Sequence, residues 1–436
     1  MSGIAELLIN TGYKVSGSDI EASEITKRLE KIGGKIYHFH DKNNIGKADV
    51  VVYSSAVPED NPEIVEAVSL SIPVIPRAEM LAELMRFKYS IAVAGAHGKT
   101  TTTSITSWIL KKGGVDPTIV IGGRLNAIGS NAISGKGDYI VAEADESDGS
   151  FLRFSPTIAI ITNIDEEHLD YYENINTIKK TFIEFIHKVP FYGLAVLCVD
   201  DPNTRNIIPK IKRRYVTYGI SSKADITASD IIFKGEQTEF TVYCKGEKLG
   251  KTTLNFAGIH NVYNALASIS VGLELGIPFS IIKEALTTVP KVERRLELKG
   301  TTNDIIVIDD YGHHPTEIKT TLETMKSIWK DRRLVVVFQP HRYTRTKLLF
   351  DNFKDAFWHA DKLIIIPIYS ACEKEIKGVT SENLCESISS AGHKSAVYFE
   401  SKEKTISYLK ETLVPNDVLL TLGAGDVWKI GEAVLK

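Results

Sequence analysis

Residues 90–103 read Ser90-Ile-Ala-Val-Ala-Gly95-Ala-His-Gly98-Lys99-Thr100-Thr-Thr-Thr103. An apolar run over Ser90–Ala94 enters a glycine turn, and Ile105, Trp108 and Ile109 follow at helical spacing. Lys111-Lys112-Gly113-Gly114 then closes the segment as a helix stop. Strand, glycine loop and helix in that order form the context a phosphate-binding loop requires. Glycines let backbone N–H groups approach phosphate oxygens, and the helix N-terminus adds partial positive charge. The reading places Gly95, Ala96, His97, Gly98 and Thr101 around the phosphates. Lys99 bridges the terminal phosphates and the Thr100 hydroxyl holds Mg²⁺. Strict Walker spacing asks for glycine at position 93, where the chain has Val93, so this loop is a shorter variant. On its own, Gly-Lys before a helix is also compatible with an ordinary cap.

Outward from this loop, short β-branched runs alternate with amphipathic stretches, the signature of βαβ units on a mainly parallel sheet. A first block has expected strands at 13–16, 35–39, 49–54 and 73–75, with a helix over 22–32 ending at Gly33-Gly34. A second has strands at 90–94, 139–142, 157–162 and 194–199, a hairpin region over 225–250 and a helix over 258–275. The third starts near Arg295, with strands at 305–308, 334–338, 363–366 and 418–422. The division predicted is 1–89, 90–294 and 295–436. A chain of 436 residues has the length for two to four domains of about 100–200 residues each.

Composition narrows the class. Net charge −3 gives no electrostatic reason to expect nucleic acid or a membrane as partner. The cysteines Cys198, Cys244, Cys372 and Cys385 show no CxxC pair, which excludes a disulfide scaffold and fits a reduced cytoplasm. No run reaches the roughly 18 apolar residues of a membrane span.

Ionisable clusters follow successive strands, and ligands in doubly wound sheets gather beyond the carboxyl ends of strands. Glu143-Ala-Asp145-Glu146-Ser-Asp148 supplies hard oxygens suited to Mg²⁺, and Thr162-Asn163-Ile-Asp165-Glu-Glu-His168 brings a histidine to the same edge. Asp309-Asp310-Tyr311-Gly312-His313-His314-Pro315 and His341-Arg342-Tyr-Thr-Arg345 follow strands of the third block. Two arginines three residues apart can clamp a carboxylate or phosphate. His313-His314 lacks the further ligands of a zinc site. His38, His40, His187, His359 and His393 are read as surface or packing residues.

Taken in order, Gly95-Ala-His-Gly-Lys-Thr-Thr-Thr, Glu143-Ala-Asp-Glu-Ser-Asp, His260-Asn261-Val-Tyr-Asn264-Ala, Arg294-Arg295 and Asp309-Asp-Tyr-Gly-His-His-Pro resemble the Mur ligases over nearly the whole chain. The resemblance implies a three-domain α/β architecture: a Rossmann-like N-terminal domain, a central P-loop ATPase-like domain and a Rossmann-like C-terminal domain. It implies ATP-driven joining of an amino acid to the carboxylate of a UDP-sugar, with Mg²⁺ or Mn²⁺ as cofactor. Lys99 and Thr100 then hold phosphate and metal, Glu143 and His168 bind the divalent ion, and Asn264 contacts adenine. Arg294 or Arg295 approaches the nucleotide, and Tyr311, His313, His341, Arg342 and Arg345 face the sugar-linked acid and the amino acid. The intact His341-Arg-Tyr-Thr-Arg-Thr run points to a single amino acid rather than a peptide. On the resemblance, that amino acid is L-alanine and the acceptor is UDP-N-acetylmuramate.

Phosphorylation converts a carboxylate into an acyl phosphate that an amine can attack, with Lys99, Arg342, Arg345 and the metal supplying positive charge. His313 is the candidate base, because imidazole titrates near neutral pH. Members of the family open with a strand and a glycine-rich turn, and the sequence here is expected to begin just past them. Asp19 and the Ser54-Ser55-Ala56 turn remain as the expected uridine-side contacts.

Overall fold

The computed structural model describes residues 1–54, 57–125 and 130–436. Its centre is the strand Tyr89–Ala94, buried at every position after Tyr89. It pairs in parallel with Tyr139–Glu143 on one side and Ile158–Ile161 on the other, with Ile91 opposite both Val141 and Ile158. Side chains alternate between faces. Ile91 and Val93 join a core with Ile105, Ile109, Val196 and Ile269, while Ala92 and Ala94 face Phe151, Phe182 and Phe185. Helices cover both faces, so the strands read as continuous apolar runs rather than alternating ones.

Around this axis lies a ten-stranded sheet. On one flank it continues through Leu194–Cys198 and Tyr215–Gly219 to an antiparallel meander, Ile226–Lys234, Gln237–Cys244 and Glu247–Leu254. Thr118–Leu125 and Ser130–Ile133 form the opposite edge. The helix Lys99–Lys112 packs on Ile259–Glu274 and is buried along most of its length, including Thr100–Thr103. Thr102 Oγ1 donates to Asn264 Oδ1 at 3.1 Å and Thr106 Oγ1 to Ser268 Oγ at 3.0 Å. Small hydroxyl side chains thus let the two helices approach while satisfying each other.

A six-stranded sheet forms the C-terminal region, in the order Glu297–Thr302, Ile305–Asp310, Asp417–Leu422, Arg333–Phe338, Lys362–Ile365 and Ala396–Tyr398. Only its first pair is antiparallel. Because Asp417–Leu422 lies between Ile305–Asp310 and Arg333–Phe338, the loops after residues 310, 338 and 422 open side by side at one edge.

The N-terminal strands form two separate parallel pairs, Ser16–Ser18 with Lys35–Tyr37 and Val51–Tyr53 with Val74–Pro76. The first strand starts at Ser16, later than expected, and none of these strand residues is fully buried. The helix Ser2–Asn10 anchors the region by inserting Ile4 and Leu7 into the core that holds Leu81, Met85 and Ala132. No helix among the described residues is long and apolar enough to cross a membrane.

Candidate active site

Gly95 (φ +131°) and Gly98 (φ +81°) carry the loop through backbone conformations that favour glycine. Close approach reinforces both positions. A Cβ on Gly95 would lie 2.1 Å from Thr162 Oγ1, and one on Gly98 would lie 2.5 Å from Asn264 Oδ1. The loop is pinned from the neighbouring strand end: the His97 amide donates to Asn163 Oδ1 at 2.9 Å, and Thr162 Oγ1 donates to the His97 carbonyl at 2.6 Å. Lys99 Nζ donates to the Gly95 carbonyl at 2.6 Å and to Glu146 Oε1 at 2.9 Å. Burial disfavours the Lys99 ammonium, but the Glu146 and Glu167 carboxylates outweigh it and hold the pKa above its usual value.

A cavity of about 560 Å³ opens beside this loop, within the range of small-molecule sites. It is lined by His97, Gly98 and Thr101, by Asn261 and Asn264, by Asp200, and across the domain junction by Arg295, Asp310 and Glu317. Asn264 therefore faces it, although the amide also donates to Asn261 Oδ1 at 3.1 Å and accepts from Thr102. Burial raises the Asp310 carboxyl to about 6, against the pull of Arg295.

One carboxylate joins the two sides. Glu317 Oε2 caps the helix Pro315–Ile328 by accepting from the His313 amide at 3.0 Å and the His314 amide at 3.3 Å. Its other oxygen lies 3.4 Å from His97 Nδ1, an ionic rather than a hydrogen-bonded approach, and 3.9 Å from Arg295 Nη1. His97 Nε2 pairs with Asp165 Oδ2 at 2.9 Å, and Thr316 Oγ1 donates to the same oxygen at 2.8 Å. Burial alone would push His97 down, yet Asp165, Glu317 and Glu167 together raise it to about 10. An imidazolium is thus part of the phosphate loop at neutral pH. Burial opposes ionisation of Glu317, and His313, charged only in the acid range where this carboxyl titrates, together with His97 and Arg295 overcomes it, setting that carboxyl well below its usual value.

The candidate metal ligands are divided. Glu143 is half-buried beside Thr100, has a shielded Oε1 without a hydrogen-bond partner, and feels both Lys99 and Arg295. Burial raises its pKa. His168, in the left-handed region at φ 55°, groups instead with Glu146 and Glu167, their ligand atoms all within 4.8 Å of one another. His168 also lies within the electrostatic reach of Arg345 and Lys99. An orphaned carboxylate oxygen next to the loop threonine, with a cradle that a Cβ would fill, fits a nucleotide with a divalent ion.

Two expectations need correction. Arg294 does not line this cavity. Its guanidinium donates to Asp309 Oδ2 at 2.7 Å and to the Gly423 and Gly425 carbonyls, so it locks a C-terminal loop while Arg295 lines the cavity. His313 does not titrate near neutrality: burial lowers it to about 4 despite Glu317, and its Nδ1 lies 3.1 Å from the Tyr311 carbonyl. It is neutral at pH 7 and a weak base. Of the histidines read as surface or packing residues, His40 is part-buried, with Nδ1 2.9 Å from Ser18 Oγ.

The remaining candidates sit around the junction. Tyr311 lies under both guanidinium groups, 5.1 Å from Arg294 and 5.5 Å from Arg295. His341 stacks on Tyr369 and contacts Arg345 Nη1 at 3.1 Å, and burial beside His313 and both arginines lowers it to about 3. Arg342 donates to Glu373 Oε1 at 2.5 Å. Arg342, Arg345 and His168 line one crevice together with Glu167. Asp19 and Ser54 lie at the ends of N-terminal strands, away from the cavity lining, and Ser55 falls outside the described residues. Glu146, Asp165 and Glu317 carry more of the site than their motifs suggested. The spacing His314-x-x-Glu317 is a capping-box signal that could have drawn attention to Glu317.

Family profiles match in the same order along the chain: Mur ligase family, catalytic domain over residues 1–89; Mur ligase middle domain over 93–272; and Mur ligase, glutamate ligase domain over 294–425. The chain belongs to the Mur ligase family and has its three-domain architecture. It is 58% identical over 435 residues to the UDP-N-acetylmuramate–L-alanine ligase of Desulfosudis oleivorans, covering 100% of this chain and 95% of that protein. The enzyme of the same description from Geobacter sp. strain M21 is also 58% identical, covering 100% and 94%. Among solved structures, the UDP-N-acetylmuramate–alanine ligase of Thermotoga maritima superposes with TM-score 0.83 at 30% identity, covering 100% of this chain and 95% of that one. A murein peptide ligase from Psychrobacter arcticus gives 0.71 at 26%, with coverage of 100% and 95%.

Proposed function

We propose that this protein ligates L-alanine to the carboxylate of UDP-N-acetylmuramate at the expense of ATP, forming ADP, phosphate and a peptidoglycan precursor. The observation that carries the reading is convergence. Glu143, beside the phosphate loop, feels both Lys99 and Arg295, and His168 feels both Lys99 and Arg345. Positive groups from two domains therefore surround one acidic edge, where a triphosphate and two anionic substrates need to meet.

In this reading 1–89 binds the UDP-sugar, 90–294 binds ATP and 295–436 binds the amino acid. The loop Gly95–Thr101 takes the phosphates. Lys99 leaves Glu146 to reach them, and Arg295 and Asn264 flank the nucleoside. Thr100 and Glu143 would hold Mg²⁺ or Mn²⁺, with His168 as a further ligand, and the ion would neutralise charge on the transferring phosphoryl group. The sugar carboxylate attacks that group in line and displaces ADP, giving an acyl phosphate. The alanine amine then adds to the acyl carbon, and the tetrahedral centre collapses with loss of phosphate. Arg342 and Arg345 hold the carboxylates. Neutral His313, with Nδ1–H on the Tyr311 carbonyl, orients the amine through its Nε2 lone pair but is too weak a base to drive deprotonation by itself, while His341, whose Nδ1 accepts from Arg345, offers Nε2–H to a substrate carboxylate. The junction sealed by Glu317, His97 and Thr316 limits the entry of water, which would hydrolyse the acyl phosphate.

ADP release assayed with UDP-N-acetylmuramate and L-alanine, other amino acids or a tripeptide tests this directly. The expected result is turnover that requires both substrates, prefers L-alanine and yields an amide product by mass spectrometry. ADP release without an amide, or preference for the tripeptide, would overturn it.

A further inference from the structure

Outside the lining of the nucleotide cavity, a second polar cluster occupies the carboxyl ends of the N-terminal strands. Ser18 closes the strand Ser16–Ser18, His40 follows Lys35–Tyr37, and Glu63 lies in the first turn of the helix Pro62–Ser69. The Glu63 side chain is only 16% exposed. It accepts from Ser18 Oγ at 2.9 Å, from Asn44 Nδ2 at 2.8 Å and from the Asp41 amide at 3.3 Å. The strand preceding Glu63 belongs to the other pair, so this carboxylate ties together two strand pairs that share no ladder.

Counting protons places a hydrogen on His40 Nδ1. Ser18 Oγ lies 2.9 Å from His40 Nδ1 as well as 2.9 Å from Glu63 Oε2. A hydroxyl has one proton, and an ionised carboxylate only accepts. The Ser18 proton therefore goes to Glu63, and Ser18 Oγ accepts from Nδ1–H of His40. In a neutral imidazole with Nδ1 protonated, Nε2 is a bare acceptor. Nε2 has no hydrogen-bond partner among the described residues, and the side chain is 29% exposed.

We infer that His40, oriented by Ser18 and Glu63, is a specificity residue whose Nε2 accepts a hydrogen bond from a neutral N–H or O–H donor of the UDP-linked substrate. Its position beyond parallel strand ends is where ligands of such sheets bind. A lone pair aimed at the ligand repels phosphate oxygens and selects the nucleoside, through either the uracil imide N3–H or a ribose hydroxyl. This rests on the proposed UDP-sugar reading and deepens it. Glu63 and Ser18 act as positioning residues.

Calorimetric titration of the full chain with UDP, N3-methyl-UDP and 2′-deoxy-UDP tests the inference. One of the two analogues is expected to bind about tenfold more weakly than UDP, the scale of one hydrogen bond to a site shaped for it. The methylated analogue failing identifies the imide, and the deoxy analogue failing identifies the ribose. His40→Leu should bind UDP about tenfold more weakly and lose that discrimination, raising KM for the UDP substrate alone with kcat and the other KM values unchanged. His40→Gln, whose Oε1 can reach the Nε2 position, should recover part of the affinity. Ring ¹⁵N spectra should show a protonated Nδ1 and a bare Nε2. Equal affinity of the wild type for all three ligands, unchanged discrimination in His40→Leu, or a protonated Nε2 would overturn the inference alone. Failure of the wild type to bind UDP at all would overturn the proposed function together with it.

Discussion

The strands Tyr89–Ala94 and Val51–Tyr53 are both short apolar runs that end at a turn, yet the first buries five of its six residues and the second none. The difference lies in the neighbours. Tyr89–Ala94 has a strand on each side and helices on both faces, whereas Val51–Tyr53 has one ladder partner, Val74–Pro76. Apolar burial stabilises by about 25 cal/mol per Å² removed from water, so similar sequences contribute unequally in the two settings. The N-terminal region relies on Ile4 and Leu7 of its first helix and on the Glu63 tie. On the proposed function, chemistry that needs positioning to within about 0.5 Å falls to the well-buried central sheet, and recognition of the UDP end falls to the lightly packed N-terminal region, where ligand-binding elements are generally less stable.

The largest effect expected is on stability. Phe182→Ala, at a fully buried ring packed against Phe151, should lower unfolding free energy by about 3–5 kcal/mol, and Val52→Ala by less than about 1.5 kcal/mol. Urea denaturation compares them, and equal losses would erase the contrast between the regions. Next, Lys99→Met should reduce kcat by about 10²–10³-fold, the scale of removing one group that stabilises transition-state charge. UDP affinity measured by calorimetry should stay unchanged, and its loss would mean that the two regions are not separable.

A pH series sharpens the picture at the junction. His97 is raised from 6.5 to about 10, so the folded protein holds more protons than the unfolded chain between those values. Its contribution is fully present below about pH 6.5 and is lost as pH climbs to about 10. The urea midpoint of the wild type should fall across that window relative to His97→Gln, and parallel curves would remove the imidazolium from the account. The smallest effect belongs to the exposed pair Lys27–Glu24, where Lys27→Ala should leave the midpoint unchanged within error.

Much of the architecture was legible because long apolar runs and glycine turns act locally. The strand at 90–94, the helix beginning at Lys99 and the strand ends bearing Glu143, Asp310 and His341 follow from residue type and spacing. Within the helix Lys99–Lys112, residue type alone does not reveal that Thr102 and Thr106 are buried, bonded to Asn264 and Ser268 some 160 residues away. Arg294 and Arg295 are adjacent and chemically identical in sequence, and the Asp309 carboxylate with the loop at Gly423–Gly425 separates their roles.

The sequence by itself determined a phosphate loop, the parallel α/β character and the acidic and basic clusters at strand ends, because backbone conformation and side-chain chemistry are properties of neighbouring residues. Tertiary structure decided which of those charges meet. It set His97 near 10 and His313 near 4, paired Lys99 with Glu146, and turned Arg294 away from the cavity. Burial and the distance to an opposite charge control ionisation, and both arise only when segments far apart in the chain are packed together.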